Sequence, residues 1–172
     1  MKGTVEMKSS KTHIMSGCCG MSCSLCPRYY TDGKFKCQGC GPDPHCEYCS
    51  TYKCCSVKKA YETCAECFDA PCDRISNLVD WKGFNTRKRW LAHIEEIKEI
   101  GLENWERIQK QKAILLMQAL EKYNAGRSKC LICLSFLLFD IPTIKKILEK
   151  ASDTINDSEL KIKAKKFRSL IM

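Results

Sequence analysis

Residues 18–72 read CCGMSCSLCPRYYTDGKFKCQGCGPDPHCEYCSTYKCCSVKKAYETCAECFDAPC. Thirteen of the chain's 15 cysteines lie in these 55 residues, which hold only three residues from Ile, Leu, Val and Met, namely Met21, Leu25 and Val57. The 100 residues after Cys72 hold 29. An aliphatic core therefore cannot hold the first stretch together. A segment with so little apolar area needs disulfides or metals to offset the entropy of ordering it.

Working outward, Met1 to Gly17 is polar, carries Lys2, Lys8 and Lys11, and has no apolar run of the kind a secretory signal requires. A cytoplasmic, reducing location is expected, where dense cysteine reads as metal-binding or catalytic rather than disulfide-bonded. The longest apolar run, Cys130 to Phe139, stops at Asp140, short of the roughly 20 residues that span a membrane. The whole chain of 172 residues suits one compact unit or two small ones. Its 29 basic against 20 acidic side chains give a formal charge of +9. Each divalent ion on four thiolates leaves its site at about −2, so two such sites lower the net charge to about +5 and three to about +3. Strong attraction to nucleic acid does not follow from the raw number.

The organisation expected is a loose tail over 1–17, a loop-rich metal-binding module over 18–75 and an all-α bundle over 76–172 packed on the module. Gly33, Gly39, Gly41, Pro42, Pro44 and Pro71 punctuate the module. Beyond it, Trp90, Leu91, Ile94 and Ile97 recur at helical spacing from Asn85 or Thr86, and Gly101 stands where a left-handed cap would end that helix. A second stripe runs from Leu102 to Tyr123. Ser128 reads as the cap of a short apolar helix through Phe139. Pro142 starts another helix to about Ala151, and Ser158 caps a last one with Leu160, Ala164, Phe167 and Ile171 on one face. Four or five short helices result. Trp81, Phe84, Trp90 and Trp105 are the side chains with which the bundle would receive the module.

The chemistry sits in the spacings. Four Cys-x2-Cys pairs, Cys23/Cys26, Cys37/Cys40, Cys46/Cys49 and Cys64/Cys67, each let two sulfurs turn toward one tetrahedral ion about 2.3 Å away. Eight thiolates complete two zinc sites. Cys18, Cys19, Cys54, Cys55 and Cys72 remain, and Cys19, Cys54 or Cys55, and Cys72 with one further ligand would serve a third ion. The candidate ligands are thus the eight paired thiols with Cys19, Cys54 and Cys72. Zinc, two or three ions, is the expected metal. An iron–sulfur cluster is the alternative, because Cys26-Pro27 and Pro71-Cys72 resemble ferredoxin-style ligation. Cys19-x3-Cys23-x2-Cys26 also has the spacing of radical enzymes that use adenosylmethionine, but the helical remainder offers no barrel. His45, beside Pro44, reads as a surface loop residue, and Cys130 and Cys133 as small core packing on an apolar helix.

The order Cys19-Gly20-Met21-x-Cys23-x2-Cys26-Pro27, Cys37-x2-Cys40, Cys46-x2-Cys49, Lys53-Cys54, Cys64-x-Glu66-Cys67 and Pro71-Cys72 resembles the prokaryotic cysteine-rich domain-of-unknown-function family 3795. Ile97 to Trp105 resembles its Gly-Leu-x2-Trp helix junction, and Lys122 to Ser128 a segment of some members, so the resemblance spans about residues 18–140. It implies a metal-binding, zinc-finger-like protein without assigned activity and supplies no catalytic residue. The chain departs from that pattern in the doubled Cys18-Cys19 and Cys54-Cys55 and in Cys130.

Three functions are in view. A structural zinc module that binds another macromolecule is favoured, because closed four-thiolate sites have no open position. An iron–sulfur protein in electron transfer or cluster handling uses the same cysteines. An enzyme would need a histidine and a carboxylate near a cysteine or open metal, and His13, His45 and His93 carry no zincin-like or P-loop spacing. Lys161, Lys163, Lys165, Lys166 and Arg168, with Arg87-Lys88-Arg89, would suit phosphate contact, yet lysines opposite an apolar stripe also make an ordinary solvated face. A protein partner is therefore the expectation.

Overall fold

The computed structural model describes residues 11–40, 49–79 and 89–172. Seven helices occur among them, with no strand. They are α1 (Ser50–Tyr52), α2 (Asp73–Val79), α3 (Trp90–Ile100), α4 (Leu102–Tyr123), α5 (Ser128–Leu138), α6 (Ile141–Thr154) and α7 (Leu160–Ile171). The described residues of the cysteine-rich part hold α1, α2 and single turns: 3₁₀ turns at Cys23–Leu25, Gly33–Phe35 and Cys64–Glu66, and a π-helical stretch, Lys53–Lys58, that continues α1.

The bundle forms as its apolar periodicity dictates. α4 buries Trp105, Ala113, Leu116, Ala119 and Tyr123 and packs against α3, α5, α6 and α7. Ile132, Cys133, Phe136 and Leu137 of α5, Ile144 and Ala151 of α6, and Phe167 and Ile171 of α7 complete one core. Tyr123 and Phe167 stack with ring centroids 4.3 Å apart, a face-parallel contact at the short end of the aromatic range. Gly101 ends α3 where the spacing places the stop, with φ 82° and ψ 152°, an extended positive-φ conformation open to glycine rather than the left-handed cap expected. Two caps differ from expectation. Ser128 is the first residue inside α5, with Arg127 at the cap position and the Ser128 hydroxyl buried without a partner. α7 starts at Leu160, two residues past Ser158, with Glu159 at the cap. For α6 the Asp140 carboxylate accepts from the Thr143 N–H at 2.9 Å, and the helix runs on from Ile141 to Thr154. The expected first helical residues Asn85 and Thr86, like Trp81 and Phe84, lie outside the described residues.

Polar bridges and close backbone approach join the cysteine part to the bundle. The His93 Nδ1–H donates to the Gly20 carbonyl at 2.8 Å, and the His93 ring meets Trp105 edge-on at 5.3 Å. Ser22 Oγ donates to Gln109 Oε1 at 2.9 Å, both side chains buried. Lys129 Nζ reaches the Tyr30 carbonyl at 2.9 Å and Lys98 Nζ the Ala70 carbonyl at 3.0 Å. Gly20 has φ 84°, and a Cβ there would stand 2.8 Å from the Trp90 carbonyl oxygen and 3.0 Å from Ile94 Cγ1. Glycine at this position is what lets the loop touch α3.

The segment read as tail through Gly17 is anchored from Lys11 onward. Glu62 accepts from the Thr12 N–H at 2.6 Å, the Thr12 hydroxyl at 2.8 Å and the His13 N–H at 3.0 Å. Ser16 bridges Ser22. His13 Nδ1 also meets Glu106 Oε2 at 2.7 Å, so two carboxylates far along the chain order the stretch, which no local pattern announces.

Candidate metal centre

Two of the Cys-x2-Cys pairs adopt the same 3₁₀ turn. The Cys26 N–H donates to the Cys23 carbonyl at 3.1 Å, and the Cys67 N–H to the Cys64 carbonyl at 3.1 Å. Thr63 fixes the second turn with a capping box: its hydroxyl accepts from the Ala65 N–H and its own N–H donates to Glu66 Oε1 at 2.9 Å. The Cys64 N–H donates to the Cys18 carbonyl at 2.8 Å, drawing the two turns together. Ahead of the first, Gly17 N–H donates to the Met21 carbonyl at 2.7 Å and Cys23 N–H to the Met15 carbonyl at 2.9 Å, which folds Cys18 and Cys19 inward. Gly39 presses on the same place, since a Cβ there would lie 2.7 Å from the Ile14 carbonyl oxygen and 3.8 Å from Cys23 Sγ.

The buried thiols lie close enough to influence one another. The Cys18 and Cys23 thiols pull Cys40 down to about 3. Cys40 in turn pushes Cys18 up to about 12 and, together with burial, raises Cys23. Cys55 stands at the next junction: its neighbours Cys18 and Cys64 raise it strongly, and its S–H donates to the Tyr61 carbonyl at 3.5 Å. Cys64, beside Cys55, is lowered. Burial raises Cys19, with the charges of Cys40, Cys49 and Cys18 close enough to add to it. Lys11 is 1% exposed, and its Nζ donates to the Glu62 carbonyl at 2.7 Å and to Ser16 Oγ at 3.2 Å. Its charge favours thiolates at Cys40, Cys18 and Cys64.

A second grouping lines a cavity of about 330 Å³ beside α1 and α2. Cys54 and Cys55 come from the π-helical stretch, Cys64 and Cys67 from the capped turn, and Cys72 from the residue before α2. Lys59 stands on the wall and donates to Cys67 Sγ at 3.1 Å and to Asp69 Oδ2 at 2.8 Å. Arg74 and Ile75 close another side. Between Cys67 and Asp69, Phe68 is fully exposed.

The expected ligands thus fall into two groups, divided differently from the sequence pairing. Cys19, Cys23, Cys40 and Cys49 belong with Cys18, and Cys37 lies close enough to influence both Cys23 and Cys26. Of the expected third set, Cys54, Cys55 and Cys72 line the cavity with Cys64 and Cys67, and Cys19 packs against the same buried cluster as Cys55 and Cys72. The link between the Cys64 N–H and the Cys18 carbonyl places the Cys64 turn against the first loop by its backbone. Cys46 and His45 lie outside the described residues. On α5, Cys133 is fully buried in the helical core and Cys130 exposed.

Among the described residues no three His, Cys, Asp or Glu side chains converge as a single ion would require, and the 14 described cysteines form no disulfide. The donor set is nonetheless one that soft or borderline metals take, thiolate sulfur with cations beside it. Sequence reasoning missed Lys11, Lys59 and Arg74 as parts of the site. Only Lys58-Lys59, separated from Cys54-Cys55 by Ser56 and Val57, hinted at a cation there. Comparison with family models, curated proteins and solved structures finds no match for this chain.

Proposed function

We propose that this chain is a metal-binding protein whose cysteine-rich part folds around thiolate-held zinc at the Cys18, Cys19, Cys23, Cys40 and Cys49 group, and that the assembled body serves as an interaction module for another protein. One observation supports the reading: sulfurs from segments up to 46 residues apart meet in the interior, Cys18, Cys55 and Cys64 in one buried cluster with Cys19, Cys40, Cys49 and Cys72 packed against it. Ile75, Ile94, Val57 and Leu91 share that cluster, so sulfur outnumbers aliphatic side chains there. Thiols gathered on one ion ionise, and a divalent ion supplies the positive charge that a single lysine does not. The resemblance to the cysteine-rich family 3795 supports the same reading. A closed thiolate site stabilises rather than catalyses, which is why no reaction is assigned.

The exposed cations of α7 are partly neutralised, with Lys166 held by Asp157 at 2.7 Å. Phe68, and Ile114 with Met117 one turn apart on α4, are apolar surface that a protein would cover more readily than a phosphate backbone. No described helix is long and apolar enough to cross a membrane.

Metal analysis after anaerobic purification, with Trp90 and Trp105 fluorescence followed during chelation, tests the proposal. Zinc should be present in stoichiometric amount, and its removal should expose both buried tryptophans, because a structural zinc contributes on the order of 10 to 16 kcal/mol to folding. A metal-free protein with the same buried tryptophans would sink it.

A further inference from the structure

We infer that the cavity walled by Cys54, Cys64, Cys67 and Cys72 is the seat of a four-iron, four-sulfide cluster rather than of a single zinc ion. This rests on the reading that the cysteine-rich part binds metal through thiolates, and names the ligand of its second grouping.

Geometry distinguishes the two ligands. A zinc ion draws four sulfurs to about 2.3 Å from one point, so they crowd together. A cubane cluster takes one thiolate on each of four irons, so its cysteines stand apart around a volume that the core fills. Five cysteines, Cys54, Cys55, Cys64, Cys67 and Cys72, line a cavity of about 330 Å³. A water molecule needs only about 10–15 Å³ of such space, so the cavity has room for a body much larger than one ion. Cys55 is the member of the five that is engaged elsewhere, 2% exposed with its S–H donating to the Tyr61 carbonyl. The other four, from three separate segments, are the ligands.

Charge and access agree. Four thiolates on a core of charge +2 leave −2, and two cations, Lys59 and Arg74, stand on the wall. Lys59 donates directly to Cys67 Sγ at 3.1 Å while Asp69 holds it in place; hydrogen bonds to the ligand sulfurs, burial and net charge are what set such a cluster's potential. Ile75, fully buried, and Ala70 shield the inner side. The outer side is Cys67 beside exposed Phe68, so the cluster would lie within reach of the surface.

Loading requires no redox change. When a preformed cluster carried by four small thiolates enters, each of the four protein thiols forms one iron–sulfur bond as one bond to a small thiolate breaks. Its proton passes to the departing thiolate, which leaves as thiol, and iron and sulfide keep their oxidation states.

The test incubates the full-length zinc-loaded protein anaerobically with a synthetic four-iron cluster ligated by 2-mercaptoethanol, then measures iron, sulfide, zinc, visible absorption and the EPR signal after reduction. Four irons and four sulfides per chain should be retained after desalting. Cys54→Ala, Cys67→Ala and Cys72→Ala should each cut bound iron roughly tenfold or more with zinc and tryptophan fluorescence unchanged, whereas Cys55→Ala should keep the cluster. Lys59→Met, which spares every ligand, should keep it too and lower its midpoint potential. Uptake lost in Cys23→Ala or Cys40→Ala but not in the cavity variants would overturn the placement, as would an unshifted potential in Lys59→Met. Zinc bound with no cluster retained would overturn this inference and leave the zinc reading standing. A chain that holds neither metal would overturn both.

Discussion

Replacing Gly20 with alanine should unfold the junction between the two halves of the molecule more cheaply than any cysteine change, without touching a ligand. Two costs add. The residue has φ 84°, where an L side chain costs about 1–2 kcal/mol. The new Cβ would also stand 2.8 Å from the Trp90 carbonyl oxygen and 3.0 Å from Ile94 Cγ1. The first of these is backbone at the start of α3 and the second belongs to a fully buried side chain, so neither yields freely, and overpacking of this kind costs about 1–3 kcal/mol. The expected loss is therefore about 2–5 kcal/mol, or roughly 4–20 °C in Tm for a chain of this size. Gly33 is the control: its φ is 72° and a Cβ there meets nothing within 4 Å, so Gly33→Ala should cost only the backbone part. Urea titrations of the protein as purified, followed by tryptophan fluorescence, read both. If Gly20→Ala and Gly33→Ala lose the same stability, the close approach of the loop to α3 contributes nothing and the packing argument fails.

Two further outcomes follow from the bundle and its junction. Phe167→Ala should lose about 3–5 kcal/mol in the same titration, since the ring is fully buried and stacked on Tyr123; a loss under about 1 kcal/mol would mean that α7 is not part of the core. His93 should titrate below the usual imidazole range of about 6.5, because burial disfavours its charged form and Arg89 and Lys112 repel it, outweighing the Gly20 carbonyl and Glu96. Its folded pKa being depressed, the neutral ring's contribution is complete above about pH 6.5 and declines as pH falls from there toward the folded value, where the unfolded chain already holds the proton. NMR titration of the His93 ring checks this, and a value at or above 6.5 would contradict it.

How much of this was legible in the sequence depends on whether the partners are near in the chain. The helical half was, because apolar spacing and breakers act within a turn or two: the 102–123 stripe becomes α4 over those residues, and Gly101 stops α3 with a positive φ. The caps were less so, since Ser128 could equally enter its helix and Glu159 could replace Ser158. Anchoring of the 11–17 segment was not legible at all. Glu62 and Lys11 are ordinary charged residues by composition, and only their meeting across 51 positions makes one buried and the other a clamp.

The cysteines show the same boundary from the other side. Spacing says correctly which thiols share a turn, as Cys23 with Cys26 and Cys64 with Cys67 do. It says nothing of which turns face each other, because that is settled by backbone bonds such as Cys64 N–H to the Cys18 carbonyl and by the helix α2 that brings Cys72 and Arg74 to the cavity. Counting pairs therefore suggests identical closed sites, whereas the fold sets a buried thiol chain with a lysine beside an open-walled cavity with its own cations. Two environments that differ in room, charge and access to solvent favour different ligands even when the donor atom is the same, which is why metal content has to be measured per grouping rather than per chain.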